Sequence, residues 1–160
     1  MIVIEQRYAG TEPAREQLVL PFDLRCKSRL RTKLANGEEV GLFLERGAIL
    51  RGGDRLRGND GRIVEVVAAP EQLIEVRTDD AALLARAAYH LGNRHMPVQV
   101  GAGWLRLAAD PVLRTMLEGL GLRPTQMEGP FEPEAGAYAP GHQHGHSSAL
   151  SKIHQYGHPA

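Results

Sequence analysis

The spacing of hydrophobic and polar positions changes character twice along the chain. Up to about Pro70, short stretches alternate apolar and polar residues, separated by turns at Ala35-Asn36-Gly37, Gly52-Gly53 and Asn59-Asp60-Gly61. This is the pattern of antiparallel strands. A two-residue turn at Asn36-Gly37 would set Lys33, Arg31 and Arg29 opposite Val40, Leu42 and Leu44, mixing charge with hydrocarbon on one face. A three-residue loop with Gly37 in the left-handed conformation aligns Thr32 with Val40, Leu30 with Leu42 and Ser28 with Leu44, leaving Lys33 beside Glu39. The second register is the one expected.

From Leu73 the order changes. Leu73-Ile74-Glu75-Val76-Arg77 has strand character, and Thr78-Asp79-Asp80 starts a helix. Within Ala81 to Leu91, residues Leu83, Leu84, Ala87, Ala88 and Leu91 form one apolar stripe, with Gly92 as the expected stop and Pro97 beyond it. Val98-Gln99-Val100, a Gly101-Ala102-Gly103 turn and Trp104-Leu105-Arg106-Leu107 form a hairpin. Asp110 and Pro111 fit the N-cap and first position of a second helix, because proline loses nothing where the backbone N–H has no partner. Its stripe is Val112, Leu113, Met116, Leu117 and Leu120, and Gly121 ends it. An extended piece at Thr125 to Met127 completes strand-helix-strand-strand-helix-strand, the order of a ferredoxin-like βαββαβ sandwich with both helices on one sheet face.

Beyond Gly129, prolines, glycines and histidines replace the apolar periodicity, and too few large side chains remain to offset the entropy of ordering. The expected class is therefore α+β: an N-terminal all-β domain of antiparallel strands over residues 1–70, a ferredoxin-like βαββαβ domain over 71–132, and a disordered histidine-rich tail over 133–160.

Composition narrows the function. The 160 residues are 42% hydrophobic, enough to bury a core, and nineteen basic residues balance nineteen acidic ones. A neutral chain has no strong field for nucleic acid or an anionic membrane. The start, Met1-Ile2-Val3-Ile4-Glu5, lacks a leader pattern, and no run approaches the ~18 apolar residues that span a bilayer, so a cytoplasmic protein is expected. Cys26 stands alone, which excludes an intramolecular disulfide and any Cys-x-x-Cys site.

Of seven histidines, five lie in the tail: His142, His144, His146, His154 and His158. An unperturbed imidazole titrates near pH ~6.5, so at neutral pH these rings have a nitrogen lone pair to donate. The alternation His142-x-His144-x-His146 lets a short segment wrap several rings around one ion. Imidazole without thiolate suits nickel, copper or zinc and does not choose among them. His90 lies at the edge of the first helical stripe and is expected to be partly buried and structural. His95 sits past the helix on a segment stiffened by Pro97, where a side chain can project from a rigid scaffold. One ring makes a poor site, but a two-fold axis beside it would bring two copies together.

The row Arg25, Lys27, Arg29, Arg31 and Lys33 reads as one basic face of a strand, either a solvated edge that resists aggregation or a dock for an acidic protein. No phosphate loop, no Gly-x-Ser-x-Gly elbow and no His-Glu-x-x-His are present, and Asp79-Asp80 is explained by helix capping. No catalytic residue is assigned.

Three stretches stand out together: Gly41-Leu42-Phe43-Leu44-Glu45-Arg46-Gly47 with Leu50-Arg51-Gly52-Gly53-Asp54, then Tyr89-His90-Leu91-Gly92-Asn93-Arg94-His95, then Gly129-Pro130-Phe131-Glu132-Pro133-Glu134 before a histidine-rich end. In these the chain resembles a known family, the urease accessory nickel metallochaperones called UreE. The resemblance implies an N-terminal domain that docks partners, a ferredoxin-like domain that binds metal and dimerises, a homodimer in which His95 binds nickel at the two-fold interface, and delivery to apo-urease in complex with the urease accessory GTPase. Some members carry a histidine pair where this chain has Ala108-Ala109-Asp110-Pro111. Extra metal capacity is therefore assigned to the tail, with His144 or His146 expected to reach His95. Ni(II) is the implied cargo, with Zn(II) and Cu(II) as competitors. The alternatives are a protein-interaction adaptor or a general histidine-rich metal buffer, and, further off, a small zinc hydrolase or lyase.

Overall fold

The computed structural model describes residues 1–136. The strands β1 (Ile2–Arg7), β2 (Glu16–Leu20), β3 (Arg29–Lys33), β4 (Glu39–Phe43), β5 (Arg55–Gly58) and β6 (Ile63–Ala68) form one six-stranded sheet in the order β2-β6-β5-β1-β4-β3. Between β2 and β3 lies a single helical turn, α1 (Phe22–Arg25). Alternation places Ile2 and Ile4 of β1, Val40 and Leu42 of β4 and Val64 and Val66 of β6 in one apolar cluster with Leu18, Leu20, Leu50 and Leu56.

The β3–β4 hairpin has the expected register, with Thr32 opposite Val40, Leu30 opposite Leu42 and Lys33 opposite Glu39. Gly37 takes φ 89°, a backbone region that only glycine enters cheaply. The expectation of purely antiparallel strands needs correction, because β1 pairs with β4, and β2 with β6, in parallel. Turn signals report only strands adjacent in sequence, and both of these pairs are joined by long excursions of the chain.

The second sheet is built from β7 (Pro70–Arg77), β8 (Gln99–Gly101), β9 (Trp104–Ala108) and β10 (Thr125–Pro130), in the order β10-β7-β9-β8 with every pair antiparallel. Helices α2 (Ala81–Asn93) and α3 (Pro111–Gly119) pack Ala87, Leu91, Leu113 and Leu117 against Ile74, Val76, Leu105 and Leu107 of that sheet. Both helices start as the sequence suggests. The Asp80 carboxylate accepts from the Ala82 and Leu83 N–H groups, and that of Asp110 from Val112 and Leu113. Val112, placed by periodicity in the buried stripe, is 64% exposed.

The end of α2 differs from expectation in an informative way. Helix α3 stops at Gly121, with φ 97°, and the Leu122 N–H donates back to the Leu117 carbonyl, so that two buried leucines close the motif. The same motif at α2 does not use Gly92, which stays helical. It places His95 in the left-handed position with φ 56°, while the His95 N–H donates to Gly92 O and the Met96 N–H to Leu91 O. The reason is the apolar contact that accompanies such a cap. Met96 packs into the cluster that holds Leu91, whereas a stop at Gly92 would have put polar Asn93 in that role.

No helix among the described residues is long and apolar enough to cross a membrane. The histidine-rich segment expected to be disordered falls, from residue 137 on, outside the described residues.

The two ends of α2 should respond oppositely to substitution. His95→Gly should raise stability by about 1 kcal/mol by relieving a left-handed non-glycine residue. Asp80→Ala should lower it by about 1 kcal/mol through loss of the cap. Urea unfolding of each variant with an unchanged slope checks both signs.

Candidate metal site

His95 is exposed, and its backbone conformation turns the chain sharply away from α2 into Met96 and Pro97. A groove opens beside it, lined by Phe22 and Ile49 from the first sheet's side, by Met96 and Val98 after the helix, and by Ala135 and Gly136. The last described residues of the chain therefore lie in the same groove as His95. Their path is fixed by hydrogen bonds: the Glu132 N–H donates to Gln99 Oε1 at 3.0 Å and the Glu134 N–H to Val98 O at 2.8 Å.

The segment is also tied to the other sheet. Arg25, which the sequence places on an exposed basic face, belongs to α1 and is fully buried. Its Nε donates to Leu20 O at 3.1 Å and Nη1 to Leu50 O at 3.2 Å, and the guanidinium also donates to the Phe131 carbonyl and the Glu132 carboxylate. The second carboxylate oxygen of Glu132 accepts from the Gly52 N–H at 3.1 Å. Phe22 and Phe131 meet edge to face, with ring centroids 5.7 Å apart. The Phe22 N–H donates to the Glu71 carboxylate at 3.0 Å.

His90, expected to be partly buried, is exposed and stands edge-on to Tyr89 at 5.4 Å. The inward position at this level of α2 is taken by Ala87 and Leu91. Among the described residues no group of three or more His, Cys, Asp or Glu is placed to hold a metal ion. His90 and His95, both exposed, belong to no such group among the described residues. His142, His144 and His146, and with them His154 and His158, lie outside the described residues. Cys26 is no substitute: burial pushes its thiol up, and the opposing pull of Arg25 and Arg51 does not overcome it, so the thiolate that binds metals is scarce at neutral pH.

What remains exposed of the basic row is Lys27, ahead of β3, and Arg29, Arg31 and Lys33 on β3 at one edge of the six-stranded sheet. Part of that charge is answered locally. Arg31 pairs with Glu39 at 2.9 Å, a hydrogen bond that holds the Glu39 carboxyl below its ordinary range, and Arg29 lies over the Phe43 ring at 5.2 Å. The sequence placed Arg25 in an exposed basic row and Glu132 in the Gly129 to Glu134 stretch, and did not foresee that the two would meet. The one signal for them was an apolar, proline-bounded Phe131-Glu132-Pro133 after the last strand.

Comparison with known proteins extends over both sheets. Residues 3–69 match the family model described as UreE urease accessory protein, N-terminal domain, and residues 71–158 match the C-terminal domain. The urease accessory protein UreE of Cupriavidus necator is 57% identical over 136 residues, covering 85% of this chain and 71% of that protein. For Cupriavidus pinatubonensis the identity is also 57%, but the match spans 62% of the relative's length. The protein of the same description from Pseudomonas fluorescens is 50% identical over 163 residues, covering 98% of both chains. The chain belongs to the UreE family of urease accessory proteins, a family of assembly factors and not of enzymes.

Proposed function

We propose that the chain is a metallochaperone that carries Ni(II) and delivers it to apo-urease during assembly of the urease active site. The observation that carries this reading is the placement of His95. Its ring stands exposed on a turn fixed by packing and hydrogen bonds, in a groove where the chain's own C-terminal segment arrives. A lone exposed imidazole holds an ion weakly, and a second His95 across the two-fold axis of a homodimer supplies a matching ligand. Exposed Val100, in the same groove, together with Tyr89 and Val112, gives apolar surface for a second copy to cover. His142, His144 and His146 complete the coordination, so that the ion is exchanged by swapping imidazoles and no covalent bond is broken.

In this reading residues 1–70 form the partner-docking domain, 71–132 the ferredoxin-like metal-binding and dimerisation domain, and 133–160 the histidine-rich tail. Strand β3, with Arg29, Arg31 and Lys33 along an exposed edge, suits an acidic protein surface better than nucleic acid, since the whole chain is neutral. The partners are the urease accessory GTPase and the apo-urease complex, in the cytoplasm. Zn(II) and Cu(II) compete for the same imidazoles.

Nickel titration calorimetry tests this. His95→Ala should weaken the tight site by at least roughly tenfold. An unchanged isotherm contradicts the interface site. Acid should release the metal, because a protonated imidazole has no lone pair to give. Between about pH 7.5 and about pH 5.5, affinity should fall roughly tenfold for each participating ring of ordinary pKa. Binding that is flat across this range would point to carboxylate ligands instead.

A further inference from the structure

We infer that Glu134 is a metal ligand: its carboxylate and the His95 imidazole, on the same chain, bind one divalent cation in the groove that both line. The inference rests on the nickel-carrier reading above.

The groove is apolar apart from these two residues. Phe22 and Ile49 stand on one side of it, and Ala88, Met96 and Val98 on the other. Of the described residues that line it, only His95 and Glu134 have ionisable side chains. Hydrocarbon walls lower the effective dielectric, so a dication held between them needs a negative charge close by, which a neutral imidazole does not provide. A carboxylate in the same groove does provide it.

Hydrogen bonding decides which glutamate is free to act. Glu132 commits both carboxylate oxygens, one to Arg25 and the other to the Gly52 N–H at 3.1 Å. Glu134 is held through its backbone instead, its N–H donating to Val98 O at 2.8 Å. Its side chain is exposed, and among the described residues its carboxylate has no hydrogen-bond or ion-pair partner. The backbone bond also sets the distance. Val98 is three residues past His95, so their Cα atoms are at most ~11 Å apart, and Pro97 between them stiffens the stretch. Glu134 is therefore docked alongside the segment that carries His95, by a bond that needs no side chain of its own.

One chain then supplies one nitrogen and one oxygen donor, a pair and not the group of three that would make a site by itself. The two-fold copy already invoked for His95 doubles the pair to two imidazoles and two carboxylates. Such a mixed nitrogen and oxygen set suits Ni(II) and Cu(II).

The test uses the full chain with His142, His144, His146, His154 and His158 replaced by alanine, so that His90 and His95 are the histidines left. In that background, Ni(II) calorimetry compares Glu134→Gln, Glu134→Ala and His95→Ala with their parent. Both Glu134 variants should bind roughly tenfold more weakly. Their melting temperature without metal should match the parent's, because the bond to Val98 is made by backbone. A second measurement reads the metal–oxygen bond: in protein carrying isotope-labelled glutamate, Zn(II), a diamagnetic probe, should move the carboxyl carbon resonance of Glu134, identified by its absence from Glu134→Gln. Parent-like Ni(II) affinity in both Glu134 variants would overturn the inference. So would a Glu134 resonance that stays still on adding Zn(II), even with weakened Ni(II) binding. Those results leave the nickel reading intact when His95→Ala still weakens binding. If His95→Ala binds as its parent does, that reading fails and the inference with it.

Discussion

A guanidinium removed from water must find acceptors for its fixed fork of donors, and Arg25 finds them only where two sheets and an irregular segment converge. That requirement organises the seam. Each sheet has its own apolar cluster, one centred on Ile4, Leu42 and Val66 and the other on Val76, Leu91 and Leu107. Hydrophobic burial alone is non-directional and would not dictate how the C-terminal segment leaves the second sheet. The polar contacts of Arg25, Gly52, Gln99 and Val98 supply that direction, and the groove beside His95 is its result.

His95 is held by a different constraint, local and slightly unfavourable. The chain caps α3 with a glycine and α2 with a histidine in the same motif, although only glycine is at ease in that conformation. Met96 against Leu91 fixes which residue must adopt it. A strained residue in a groove and at the surface is the pattern expected where position matters more than stability. Exposure keeps the ring available, and the cap together with Pro97 keeps its backbone from wandering.

Much of this could be read from the sequence where the chemistry is local. Asp80, Asp110 and Pro111 announce the helix starts because capping needs only neighbouring residues. The Gly37 loop follows from asking which register separates charge from hydrocarbon. Long-range facts were hidden. Arg25 alternates with Lys27, Arg29 and Arg31 just as a solvent-facing strand would, and its burial is decided by Phe131 and Glu132 at the other end of the described chain. The parallel pairs β1–β4 and β2–β6 leave no turn signal. Gly92 attracted the helix stop on residue type, while packing moved it to His95. Of the candidate site, His95 was legible as a projecting ring beyond a helix, but the groove that joins it to Ala135 and Gly136 depends on the tertiary fold.

The proposed carrier role requires that two copies of His95 share one ion across a symmetry axis. Anomalous diffraction at the nickel edge, from crystals of the nickel-loaded full chain, tests it most directly. The account predicts a peak on the two-fold axis at coordination distance from both His95 rings. Nickel held with the two His95 copies far apart and unliganded would contradict it.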